Sequence, residues 1–263
     1  MSGAVLAKTL RDEARPLVWW SLGVVAVLLL MALLWPSIRD VYTAELLASY
    51  PEELQEAFNI EGAMDGAGYL NMEVFSIILP VLFIVFGVGR GARLIAGEEQ
   101  EGVLEPVLVS PLPRWSVLLQ KAVGLAAGVA LLAVVTALAT LLGSAVGDLA
   151  IPWGEAVVGA AAMGLLGLYA GWLALAVGAA TGHRGVAMAA AGLVLVGGYL
   201  LHIVGAILAA VEPWRVVSPF TQAIDEGPIG TVVPWGFATL AVTAAAFLAL
   251  AVPLFERRDV EAG

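Results

Sequence analysis

Between Lys121 and Asp148 the chain reads AVGLAAGVALLAVVTALATLLGSAVG, Ala122 to Gly147, without one charged side chain. As a helix rising ~1.5 Å per residue, such a stretch covers more than the ~30 Å of a bilayer's hydrocarbon core. It is too long for a buried strand, and lipid tolerates only a backbone whose polar groups are satisfied internally. The segment therefore predicts a membrane-spanning helix. Working outward, uncharged windows recur at Pro16–Ile38, Val74–Gly89, Ala156–His183, Gly185–Val211 and Gly227–Phe255. The window at Val74–Gly89 is short, but it reaches full length if Tyr69–Glu73 continues the helix and Arg90 snorkels. Pro80 within it is expected to kink the helix without ending it.

The chain thus reads as one all-α transmembrane domain over residues 1–263 with six transmembrane helices, at about 16–38, 69–90, 122–147, 156–182, 185–211 and 229–255. Residues 39–68 form an external loop and residues 91–121 a loop between spans 2 and 3. Composition agrees: 61% of residues are hydrophobic and 13% charged, where soluble domains carry about 25% charge. The net charge of −10 excludes nucleic acid as a partner, which needs a basic footprint. The absence of Cys excludes disulfides and thiolate chemistry. A cleavable signal peptide is a poor reading of the first window, whose apolar stretch is longer than a signal core and lacks a small-x-small site.

Basic residues set the orientation. Ten of the twelve, among them Lys8, Arg11, Arg15, Arg90, Arg93, Arg114, Lys121, Arg184, Arg257 and Arg258, fall on one side, which makes both termini cytoplasmic. Trp19, Trp20 and Trp115 fall near inner ends and Trp35, Trp153, Trp214 and Trp235 near outer ends, as interfacial belts do. The pairs Gly124/Gly128, Gly143/Gly147, Gly167/Gly171 and Gly178/Gly182 repeat the spacing that lets helix backbones approach closely in lipid.

Two loops carry more information. In the acidic external loop, Leu47, Leu54 and Phe58 share a helical face. That fits a cap over an external exit, a site for cations, or an amphipathic helix lying on the membrane surface. The loop between spans 2 and 3 places Glu98, Glu101 and Glu105 at i, i+3 and i+7, one face of a helix, beside an apolar stripe of Val103, Leu104, Val107 and Leu108. Pro111 and Pro113 stop that helix before Arg114. A short amphipathic helix with acids on one face suits docking into a groove of a soluble partner.

The run Ala96-Gly97-Glu98-Glu99-x-Glu101-Gly102-x-Leu104-Glu105, with Ser110-Pro111-x-x-Arg114 and Lys121 after it, resembles the signature loop of type-2 ABC exporter permeases. Gly68-Tyr69-Leu70-x-x-Glu73 before span 2, the Pro213–Pro234 segment and the closing Phe255-Glu256-Arg257-Arg258-Asp259 agree. Val103 stands where that family usually has Thr, so a hydroxyl's role does not carry over. The resemblance implies that Glu98, Glu99, Glu101, Gly102, Leu104, Glu105, Pro111 and Arg114 couple the chain to a separate ATPase subunit through a helix over Glu98–Leu108. It implies an amphipathic interface helix at Ser2–Arg15 and short re-entrant external helices within Glu212–Gly227. It further implies a second permease copy, identical or similar, and a hydrophobic small-molecule or lipid-like substrate moved outward through the lipid bilayer of a bacterial plasma membrane.

The chain has no G-x-x-x-x-G-K-[ST] loop, so ATP and its Mg ion are expected on the partner subunit and no cofactor or metal in this chain. Tyr169, Trp172, Tyr199 and His202 lie mid-span, where they could line a pathway or pack a core. His202 is the one ionisable group well inside a span, open to a relay role or to a neutral bond with a neighbouring helix. Three other functions compete: force transmission to an external partner, secondary transport, and intramembrane hydrolysis. The last would need Ser144 and His202 paired, and their expected depths differ.

Overall fold

A computed structural model describes residues 3–39, 65–104, 112–225, 227–230, 233 and 235–258. The external loop's expected amphipathic stretch, Glu105 and Pro111 lie outside the described residues. Among the described residues the regular structure is entirely helical, and six helices are long and apolar enough to cross a membrane.

Span 1 is one helix, Ala4–Ile38, where the sequence predicts an interface helix at Ser2–Arg15 followed by a separate span. Pro16 does not divide it. The buried stripe Val5, Thr9, Glu13, Leu17, Val24, Leu28, Ala32 and Trp35 runs its whole length at three-, four- and seven-residue spacing, so a single face packs on span 3 from end to end. Thirty-five residues make a rod of about 52 Å, well beyond the hydrocarbon core.

Span 2 is segmented. A short helix Gly66–Leu70, capped by the Asp65 carboxylate, widens into a π-helical turn Asn71–Phe75 and then breaks at Ser76–Ile77 before Ile78–Ala92. The break falls one turn ahead of Pro80, because a proline clashes with the carbonyl four residues before it. A second π-helical turn, Arg93–Gly97, carries the chain into Glu98–Gln100.

Span 3 is Arg114–Gly147, beginning eight residues before the expected boundary. Span 4 is Trp153–Thr181, span 5 Arg184–Ile207 and span 6 Trp235–Arg257. Span 5 stops one turn earlier than its apolar window, and the chain doubles back through a 3-10 helix Glu212–Val217 and a helix Pro219–Ile224.

Span 4 is the central helix and packs against spans 2, 3, 5 and 6. The expected glycine approach occurs there, with a match on span 2 that the sequence reading missed. A Cβ on Gly87 would overlap the Gly167 carbonyl, and one on Gly91 the Gly171 carbonyl. Gly143 and Gly147 meet Ala32 of span 1, and Gly124 meets Thr9. Gly182 does a different job: at φ +70° it ends span 4, a backbone state that costs glycine little. Trp19, Trp153, Trp214 and Trp235 are exposed as a belt requires, but Trp35 is buried and stacks on Tyr69 at 5.0 Å.

Candidate functional site

The basic ends of the spans gather at one end of the bundle. Arg90 of span 2 donates to the buried Glu13 of span 1 at 2.8 Å. Beside it, the loop motif begins on the turn Glu98–Gln100 and ends abruptly. Gly102 lies at φ +68°; its N–H donates to the Glu99 carbonyl, and the Val103 N–H to the Glu98 carbonyl at 2.8 Å. This pair of bonds with a left-handed glycine is the Schellman stop. The expected helix over Glu98–Leu108 is therefore interrupted at Gly102.

The acids of the motif divide into two groups. Glu98 reaches Lys121 of span 3 at 2.5 Å, with both side chains largely buried. Glu99 pairs with Arg258, just past the end of span 6. Arg114 donates to the Arg258 carbonyl at 2.6 Å, and its guanidinium lies 5.9 Å from the Phe255 ring centroid. These two glutamates thus tie the end of span 2 to spans 3 and 6 within the chain. Gln100, Glu101, Gly102 and Val103 face outward, with Glu101 held by Arg93 at 3.2 Å across an exposed surface. Leu104 turns back into the core and is fully buried. Lys121 and Arg258 stand in the motif and in the closing segment, but one sequence gives no sign that they meet Glu98 and Glu99.

The four mid-span residues do not converge on one cavity. Tyr169 packs edge-on against Phe247 of span 6 at 5.2 Å, and the Trp172 indole donates to the Ala122 carbonyl at 3.4 Å. Tyr199 packs edge-on against Phe220 of the doubled-back segment at 5.1 Å. It lines an apolar groove of about 210 Å³ with Pro80, Ile84, Leu195 and Phe220. His202 is buried and shares a 3.0 Å hydrogen bond through Nδ1 with the Thr221 hydroxyl. Asp225 stands 3.7 Å from the same nitrogen and is paired with Arg215. Ser144 instead accepts from the Ile151 N–H at 2.8 Å, so it and His202 are engaged on separate partners.

The doubled-back segment is anchored along the C-terminal half of span 5. The Ser218 hydroxyl caps helix Pro219–Ile224 and donates to the Gly198 carbonyl at 2.8 Å, a point about 14 Å along the axis from the helix end. Gly198 and Gly205 make room for it: a Cβ at Gly198 would press on Pro219, and one at Gly205 on Arg215. Further along, the Asn71 side chain holds the Ile229 backbone by two hydrogen bonds, 2.7 and 3.0 Å.

Comparison with curated proteins finds no match to the chain. The family model for ABC-2 family transporter protein matches residues 4–260, nearly the full length. With six apolar helices and the loop motif at their basic end, the chain is a multi-pass membrane permease and belongs to the ABC-2 transporter family.

Proposed function

We propose that this permease is the membrane half of an ATP-driven exporter, in a bacterial plasma membrane with both termini cytoplasmic. It carries hydrophobic or amphipathic cargo outward, such as a drug, a polyketide or a lipid-like molecule. ATP and Mg bind on a separate ATPase subunit, and this chain performs no hydrolysis itself. Two permeases, identical or similar, complete the channel. ATP-driven closure of the ATPases draws the two coupling turns together and switches the bundle between inward and outward access.

The observation that carries this reading is the division of labour within the motif. Glu98 and Glu99 are braced on Lys121 and Arg258, while Glu101, Gly102 and Val103 are exposed. An exposed turn braced on spans 3 and 6 passes a push at its tip to the bundle instead of absorbing it. Glu105, Pro111 and Arg114 complete the coupling loop in this proposal, and Tyr199 and His202 stand nearest an external exit.

The test is co-purification with a co-expressed ATPase whose turnover depends on the chain. The double variant Glu101→Lys/Val103→Asp changes only exposed residues of the turn. It is expected to lower ATPase association at least about fivefold, the loss when a docking anchor worth over ~1 kcal/mol is removed, with membrane insertion intact. Association and coupled turnover at wild-type levels in that variant would refute the docking assignment.

A further inference from the structure

At the basic end of the bundle a cavity of about 510 Å³ opens between the first turns of span 1, the end of span 2 and the exposed turn that follows it. Charged side chains dominate its wall, and every acid there has a base. Asp12 holds Lys8 at 2.9 Å, Glu13 holds Arg90 at 2.7 Å and Glu101 holds Arg93 at 3.2 Å. Glu98 is matched by Lys121 of span 3. Two bases are left over. Arg11 and Arg15 line the same cavity, one helical turn apart and both exposed, and make no ion pair among the described residues.

A surplus of two positive charges in a concave site selects an anion. A cation would have to displace one of the paired bases, and the described residues bring no three acids or histidines together as metal ligands. Guanidiniums one turn apart can close on a single phosphoryl group, because each presents a planar fork of N–H donors that matches phosphate oxygens. The charge that balances two arginines is a dianion. A phosphate monoester approaches that charge at neutral pH, whereas a diester carries one. The volume leaves room for a small ester beyond the phosphoryl group itself. Trp19, one turn along from Arg15 and 75% exposed, puts the site near the level of lipid headgroups.

We infer that this cavity is a binding site for a phosphate monoester, its dianionic phosphoryl group held by Arg11 and Arg15. Two sources carry that chemistry: a soluble ester of the glycerol phosphate kind, and phosphatidic acid in the adjoining leaflet. Binding requires neither the ATPase nor transport, so failure of this site and failure of the docking assignment are separate results.

The full-length chain is purified in mild detergent and titrated calorimetrically with glycerol 3-phosphate, with dimethyl phosphate as the singly charged control. In a second arm, bound phosphatidic acid and phosphatidylglycerol are counted by native mass spectrometry. Wild type is expected to bind one monoester saturably and in preference to its diester control. Saturation by glycerol 3-phosphate marks a soluble source, and saturation by phosphatidic acid alone a lipid one. Arg11→Gln/Arg15→Gln should weaken that binding at least about tenfold, the loss for a single charge-assisted hydrogen bond. Asp12→Asn frees Lys8 and should tighten it, an effect opposite in sign that damage to the fold would not produce. Four results would overturn the site: saturation by neither monoester, equal binding of monoester and diester, unchanged binding in the double arginine variant, or no tightening with Asp12→Asn.

Discussion

Neutralising either partner of the Lys121–Glu98 pair leaves the other as a lone charge inside the protein. The two atoms are 2.5 Å apart, with side-chain exposures of 3% and 13%. At an effective dielectric of 20 their attraction is about 7 kcal/mol before desolvation is counted. Removing one member of a buried pair typically costs about 3–5 kcal/mol, whereas replacing both by neutral groups of similar volume is often close to neutral. Lys121→Met and Glu98→Gln are therefore each expected to be strongly destabilising, and the double variant to recover most of the loss. At about 2–4 °C per kcal/mol for a chain of this size, each single change should lower the unfolding midpoint by roughly 10 °C. Thermal unfolding in nanodiscs, followed by tryptophan fluorescence, measures all three variants against wild type as a double-mutant cycle. Two results would refute the reasoning: single variants within 2 °C of wild type, or a double variant no more stable than the worse single. A recovered double variant is also informative about function. It should fold normally yet pass less of the ATPase's work to the bundle, because the brace between the turn and span 3 is gone.

Two further outcomes follow from particular contacts. Gly91→Leu places a side chain into the Gly171 carbonyl and is expected to cost 1–3 kcal/mol or more through overpacking; Gly89→Leu, with open space at its Cβ, should express and unfold like wild type. At His202, Ala should cost about 1–3 kcal/mol by leaving Thr221 without its buried partner. Gln, which can keep that bond, should restore both stability and transport; loss of transport in a well-folded His202→Gln variant would instead mark His202 as a proton carrier.

The number and type of the helices were legible because an uncharged window longer than a bilayer is a local signal, readable without knowing any neighbour. Their ends were not, for one recurrent reason. Treating a charge as a boundary cuts span 3 at Lys121 and span 1 at Arg15, yet both helices run on, because Glu98 receives Lys121 and Arg90 receives Glu13. Those partners lie many residues away, and nothing local announces them. Gly102 is a different kind of miss. A glycine directly after Glu101 is a helix stop that the sequence displays, and the three-and-seven spacing of the acids concealed it. The same contacts explain why the motif was legible and its inward ties were not: four acids within eight residues invite a docking face, and only the position of Lys121 and Arg258 reveals that Glu98 and Glu99 point home.

Arg258 joins three spans at once, through its side chain to Glu99 at the end of span 2 and through its carbonyl to Arg114 at the start of span 3, while itself closing span 6. Helices lashed together at one end cannot slide past each other there; they turn as a block. Any bending must then be taken up further along, and span 2 has the place for it: the break at Ser76–Ile77, where helical bonding lapses between a widened turn and Pro80. The permease is in this sense a lever with a built-in pivot, stiff at its basic end and jointed near the opposite face.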